Sequence, residues 1–281
     1  MARNAERVSA PRLSLPLLLL LALLPPTLPA GAAAAPPLLP PRAPCSVARE
    51  PALTAAAFAA RYKGRAPVVF ARAENASAAA AALRARVSRE ALLASHGDVR
   101  VVLASSNSHS HVKREASLRE YVAGVADVPV DAARAADETW YLFGDTERSE
   151  RWDALTAGYE PPLDAADDEG LVVFGVGGSG SGVAFHTHGA AFGEALVGRK
   201  TWFLSPPEQR PAFDGNVAQL RWALDFREGS GGGANRFVQE CDLGPGEVIY
   251  VPPQWWHATL NTEPYNAFVS VFTREKTTAL R

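Results

Sequence analysis

Apolar residues are distributed along this chain in three ways, and each predicts a different structure. From Leu13 to Leu24 they are nearly continuous, broken only by Ser14 and Pro16. Between residues 54 and 95 they are mixed with alanine at helix-forming density. Thr54 is a candidate cap for the segment Ala55 to Tyr62, and residues 76 to 95 read as helical. Elsewhere they fall in short β-rich runs: Val68-Val69-Phe70 after Pro67, then Val99 to Ala104, Trp140 to Phe143, Leu171 to Gly175 and Ala184 to His188. The series continues with Glu194 to Leu204, Phe237 to Leu243, Glu247 to Val251 and Ala267 to Thr273, and one short helix is expected at Leu118 to Ala123. Strands this short, separated by Gly and Pro turns, argue for a closed or double-sheet β fold with a few helices packed outside it. No internal repeat is evident, and the Gly229 to Gly233 run reads as a flexible loop.

Composition bounds the picture. A chain of 281 residues that is 47% hydrophobic and 21% charged can bury one sizeable core, and requires no second domain. Its formal net charge of -2 offers no electrostatic footprint for a polyanion, so nucleic acid is not expected as a partner. The basic start Arg3, Arg7 and Arg12, the apolar run, and the small-residue segment Ala30 to Ala35 describe a secretory signal peptide over residues 1–35. The apolar run is too short for the roughly 20 residues that span a bilayer, so no transmembrane segment remains after cleavage; an uncleaved anchor is the alternative. Residues 36–50 are proline-rich and read as an extended linker, leaving 51–281 as the folded domain. Two further features agree with the secretory pathway: the sequon Asn75-Ala76-Ser77, and Cys45 and Cys241 as the only cysteines. These two either form one disulfide or remain separate thiols.

The chemistry concentrates in Phe185-His186-Thr187-His188, where two histidines at i and i+2 of an extended strand share one face. A third histidine, His257, follows the turn Pro252-Pro253-Gln254-Trp255-Trp256. The pair reads either as metal ligands or as satisfied polar residues of a barrel interior. Glu194 is a candidate carboxylate for the same site, but its strand parity relative to Lys200 is lost across Gly198. Other motifs carry less. Gly175-Val176-Gly177-Gly178-Ser179-Gly180 fits the dinucleotide fingerprint G-x-G-x-x-G, yet a strand rather than a helix follows, so it reads as a pocket-rim loop. His109-Ser110-His111 runs into Lys113-Arg114-Glu115, as a solvated edge would. Trp202, Trp255 and Trp256 read as core or pocket wall.

The order of His-x-His, a Gly198-Arg199-Lys200 turn and a distant Pro-x-x-Trp-Trp-His resembles the cupin-like core of the jumonji C (JmjC) family of Fe(II) and 2-oxoglutarate dependent oxygenases. The resemblance implies a mainly β fold, a double-stranded β-helix of the jelly-roll type with flanking N-terminal helices. It implies that His186 and His257 hold the metal and that Lys200 pairs with the far carboxylate of 2-oxoglutarate, with Ser270 as a polar pocket residue. His188 stands where the family carries Asp or Glu. A neutral imidazole there raises the site charge by one and admits zinc, copper or nickel as stronger competitors for iron. Two functions follow from the resemblance. One is a protein hydroxylase of the endoplasmic reticulum lumen; the other is a non-catalytic JmjC-like module that regulates or binds partner proteins. Residence in the endoplasmic reticulum is implied by the resemblance alone, because the chain closes Ala279-Leu280-Arg281 without a Lys-Asp-Glu-Leu-like signal.

Overall fold

The structure is a computed structural model that describes residues 45–72, 74–107, 112–126, 139–143, 150–166, 170–229 and 233–273. The leader, most of the linker, and His109 and His111 lie outside the described residues. In chain order the elements are β1 (Ala48–Glu50), α1 (Ala55–Arg61), β2 (Val68–Ala71), α2 (Glu74–Arg86), α3 (Arg89–His96), β3 (Arg100–Ser105), β4 (Lys113–Ser117), α4 (Leu118–Ala126), β5 (Trp140–Leu142) and α5 (Glu150–Thr156). There follow β6 (Leu171–Gly177), β7 (Gly182–His186), β8 (Ala191–Val197), β9 (Lys200–Ser205), α6 (Gln219–Glu228), β10 (Gln239–Leu243), β11 (Glu247–Val251), β12 (Trp256–Asn261) and β13 (Asn266–Phe272).

The strands from β6 to β13 form a double-stranded β-helix. Four lie in the order β11-β8-β13-β6 and four in the order β10-β9-β12-β7, so the chain repeatedly crosses between two facing sheets. The first of these sheets is extended to nine strands by β2 and β1 at one edge and by β5, β3 and β4 at the other. Alternation along each strand then sorts side chains between three layers. Ala267, Val269 and Val271 of β13 face outward and are buried beneath the helices with Phe58, Leu83, Leu92 and Leu118. Phe185, Phe203, Ala258 and Leu260 face outward from the small sheet and are covered by Leu220 and Ala223 of α6. Between the sheets, Val69, Leu204 and Ile249 pack together with Trp202 and Val251, and these last two also line the cavity that holds the histidines.

Several expectations are corrected. The linker does not reach residue 50: Ala48–Glu50 pairs parallel with Val68–Phe70, because the edge of β2 offers unpaired backbone groups that a short extended segment satisfies. The ordered fold therefore starts before residue 51. Residues 76 to 95 are two helices, since the Ser88 hydroxyl accepts the Ala91 N–H at 3.3 Å and caps a new start. Thr54 caps α1 in the same way, accepting from Ala57 at 3.2 Å. Gly175 and Gly177 are strand residues of β6 rather than a rim loop; a Cβ would strike the Phe268 ring at the first and the Asn261 side chain at the second. Glu194 to Leu204 is two strands divided at Gly198, whose φ of +78° and close approach to Asn266 and the Tyr265 carbonyl require glycine. Lys113 to Ser117, which lacks apolar alternation, is the charged edge strand β4; α5 and α6 were not anticipated.

Candidate metal centre

The three histidines converge on the inner face of the small sheet. His257 is opposite His186 in the pairing of β12 with β7, and the next matched pair is Thr259 opposite Val183, so β7 carries one extra residue in a bulge. The bulge lets His186 and Val183 both line the cavity although they are an odd number of residues apart. His188 lies past the end of β7, not within an extended strand as the pattern suggested, and still turns inward.

Each ring is fixed through Nδ1 to a backbone carbonyl: His186 to Ala184 at 2.9 Å, His188 to Gly189 at 2.7 Å and His257 to Trp255 at 2.9 Å. A carbonyl only accepts, so each Nδ1 carries the proton and each Nε2 presents a lone pair. The Nε2 atoms of His188 and His257 are 2.9 Å apart, and one ligand atom from each of the three rings lies within 4.8 Å of the others. Two lone pairs at that distance repel unless a positive charge lies between them. Protons are disfavoured there. Burial, and after it the neighbouring His188, pushes His186 down to about 4. Burial lowers His188 as well, and burial followed by the other two rings holds His257 well below the ordinary range. A divalent cation fits instead: two imidazole nitrogens each about 2.1 Å from one ion at right angles stand about 3.0 Å apart. The donor set is thus suited to a divalent metal, three neutral nitrogens being the ligating form of histidine.

Lys200 opens β9 and points into the same cavity. Its Nζ sits 3.7 Å from the centroid of the Phe268 ring and donates to Thr259 Oγ1 at 3.4 Å. Among the described residues no carboxylate pairs with it, and burial alone lowers its pKa to about 7. Ser270 lies on the cavity wall with Phe268 and Phe272, its neighbours on the inner face of β13. Trp202 closes the opposite side, its ring tucked where Gly193 leaves no side chain, and Phe143 packs on Phe268 and Phe272 at 5.6 and 6.3 Å. Thr259 went unremarked in the sequence, although the spacing of two from His257 on a strand was the signal that could have found it.

Glu194 does not join this group. It faces the helices, with Arg72 at 3.3 Å, Arg84 at 3.8 Å and the Tyr159 hydroxyl donating at 2.8 Å. Its parity is the reason: Gly193, not Glu194, backs the cavity. Cys45 and Cys241 are joined in a disulfide, with Cα atoms 4.4 Å apart. Asn75 lies in the first turn of α2.

No family model matches the chain. It is 38% identical over 229 residues to JmjC domain-containing protein 8 of Mus musculus, an alignment covering 81% of this chain and 82% of that protein. The same identity and length are found with JmjC domain-containing protein 8 of Homo sapiens, covering 83% of the human protein. Lysine-specific demethylase JMJ21 of Arabidopsis thaliana is 36% identical over 117 residues, which cover 36% of this chain and 12% of that protein.

Proposed function

We infer function from the premise that this chain belongs to the JmjC domain-containing protein 8 family, and propose that it is a luminal, metal-dependent hydroxylase of protein side chains that takes Fe(II) and 2-oxoglutarate. The observation that carries this reading is the convergence of three deprotonated Nε2 atoms beside a buried ammonium that has no counter-charge among the described residues. His186, His188 and His257 would hold the ion, which when bound supplies oxygen activation. Lys200 answers a carboxylate: its ammonium is costly to bury alone and is aimed by Thr259. Ser270 offers that ligand a hydroxyl, while Phe143, Phe268 and Phe272 keep water from the reacting end.

Anaerobic titration of purified protein with Fe(II) and 2-oxoglutarate tests this. A visible charge-transfer band that needs both additions is expected. The neutral third ligand favours a second reading, a non-catalytic module, and protein that retains zinc and ignores 2-oxoglutarate would establish it. His188→Asp restores an anionic ligand and should tighten Fe(II) at least about tenfold relative to zinc, since a hard carboxylate suits iron better than a third imidazole. Equal preference in both proteins, measured by competition, would count against this account of the site charge.

The proposed compartment is the endoplasmic reticulum lumen. The basic, apolar and Ala-rich order of residues 1–35 supports it, as does a disulfide that an oxidising compartment would maintain. Among the described residues no helix is long and apolar enough to cross a membrane. Expression of the full chain in mammalian cells should give a band that a high-mannose glycosidase shifts, with the shift lost in Asn75→Gln. Digestion of the protein by protease added to intact microsomes would rule the lumen out.

A further inference from the structure

We propose that Gln254 is a positioning residue of the metal centre, seating His188 through its backbone carbonyl. The inference rests on the three-histidine reading above and goes beyond it by asking what holds the third ligand. Strand pairing holds the other two, because His186 and His257 face each other in the ladder. His188 is two residues past the end of β7 and has no ladder to hold it.

Its carbonyl instead receives two donors from one residue: the Gln254 N–H at 2.8 Å and the Gln254 side-chain amide at 3.5 Å. With its N–H bonded there, Gln254 adopts φ +63°, which folds the chain that follows back toward Trp255 and His257; Leu163 is the other non-glycine residue with positive φ among the described residues. A long side chain rarely takes that conformation, and it persists where the surroundings over-determine it. Here they do. Pro252 and Pro253 restrict the approach, and Trp255 donates back to the Pro252 carbonyl at 3.4 Å. The next carbonyl, that of Trp255, accepts from Nδ1 of His257. A single tight turn therefore grips two ligands that are 69 residues apart, one by its main chain and the other by its ring. Their Nε2 atoms stand 2.9 Å apart.

The test is titration of the intact folded protein with Co(II), a spectroscopic substitute for the native ion, in wild type, Gln254→Gly, Gln254→Val and a His188→Ala control. Glycine adopts φ +63° without strain and keeps the N–H, losing only the side-chain donor, so a two- to threefold weakening is expected at about the wild-type spectrum. Valine resists that φ, opens the turn and should weaken Co(II) by about ten- to a hundredfold, the usual cost of losing an outer-shell partner, while moving the d–d bands toward those of the His188→Ala control. A role in folding alone would lower the melting temperature without that spectral change. Valine binding Co(II) with wild-type affinity and bands would overturn the positioning role, as would equal losses in the glycine and valine variants. Wild type that gives no Co(II) bands would overturn the metal-centre reading itself. Should the valine variant not fold, Gln254→Ala makes the same comparison with a smaller expected loss.

Discussion

Lys200→Met should make the protein more stable and abolish the proposed binding of 2-oxoglutarate. Both effects have one cause. Wild-type Lys200 is buried against Phe268 and Thr259 with no anion beside it among the described residues, and its pKa falls to about 7 because burial penalises the ammonium. Methionine has a similar length and no charge, and replacing buried charge by apolar volume stabilises by about 1–4 kcal/mol. The sign with pH is fixed. A lysine depressed from 10.5 to about 7 binds fewer protons folded than unfolded between those values. The wild type therefore gains stability as pH rises through that window. The advantage of the variant should be greatest below about pH 7 and fade by about pH 10.5. Denaturant midpoints of the two proteins across this range check the first effect, and calorimetry with 2-oxoglutarate checks the second. A less stable variant, or one that binds 2-oxoglutarate as the wild type does, would sink the assignment of Lys200 as a carboxylate anchor.

Cys45→Ala should lower stability by about 2–5 kcal/mol, the usual cost of removing a native disulfide. The closed loop is long, 196 residues, so the bond restricts the unfolded chain strongly. It also joins layers. Cys45 lies three residues before β1 at the edge of the large sheet, whereas Cys241 lies in β10 of the small one, opposite Trp202. Ser46 continues the clip, its N–H donating to the Glu240 carbonyl at 3.3 Å and its hydroxyl accepting from the Glu240 N–H at 3.2 Å. The wild type treated with a phosphine reductant should unfold at the same urea concentration as Cys45→Ala. An unchanged wild-type midpoint on reduction would refute the contribution of the bond.

Much of the architecture was legible in the chain because strand alternation is local. The runs that include Val68 to Phe70, Leu171 to Gly175, Ala184 to His186 and Glu247 to Val251 are strands as their composition predicts, and Thr54 as a cap follows from side-chain chemistry alone, whereas β12 was not among the expected strands. Less legible were β4, whose residues alternate poorly because it is a solvated edge, and β1, which has no apolar pattern and forms only because β2 lies beside it.

What the sequence by itself determined, then, is the set of donors and the β class of the fold, since residue identity and short-range periodicity suffice for both. Which donors meet was decided by the tertiary structure. Glu194 and Lys200 straddle Gly198, where the chain passes from one sheet to the other and parity is lost, so only the folded sandwich could send the carboxylate toward Arg72 and the ammonium toward the histidines. His188 is likewise beyond the strand that would have set its face. It points inward because a turn 66 residues later donates to its carbonyl, a long-range hydrogen bond that no local pattern encodes.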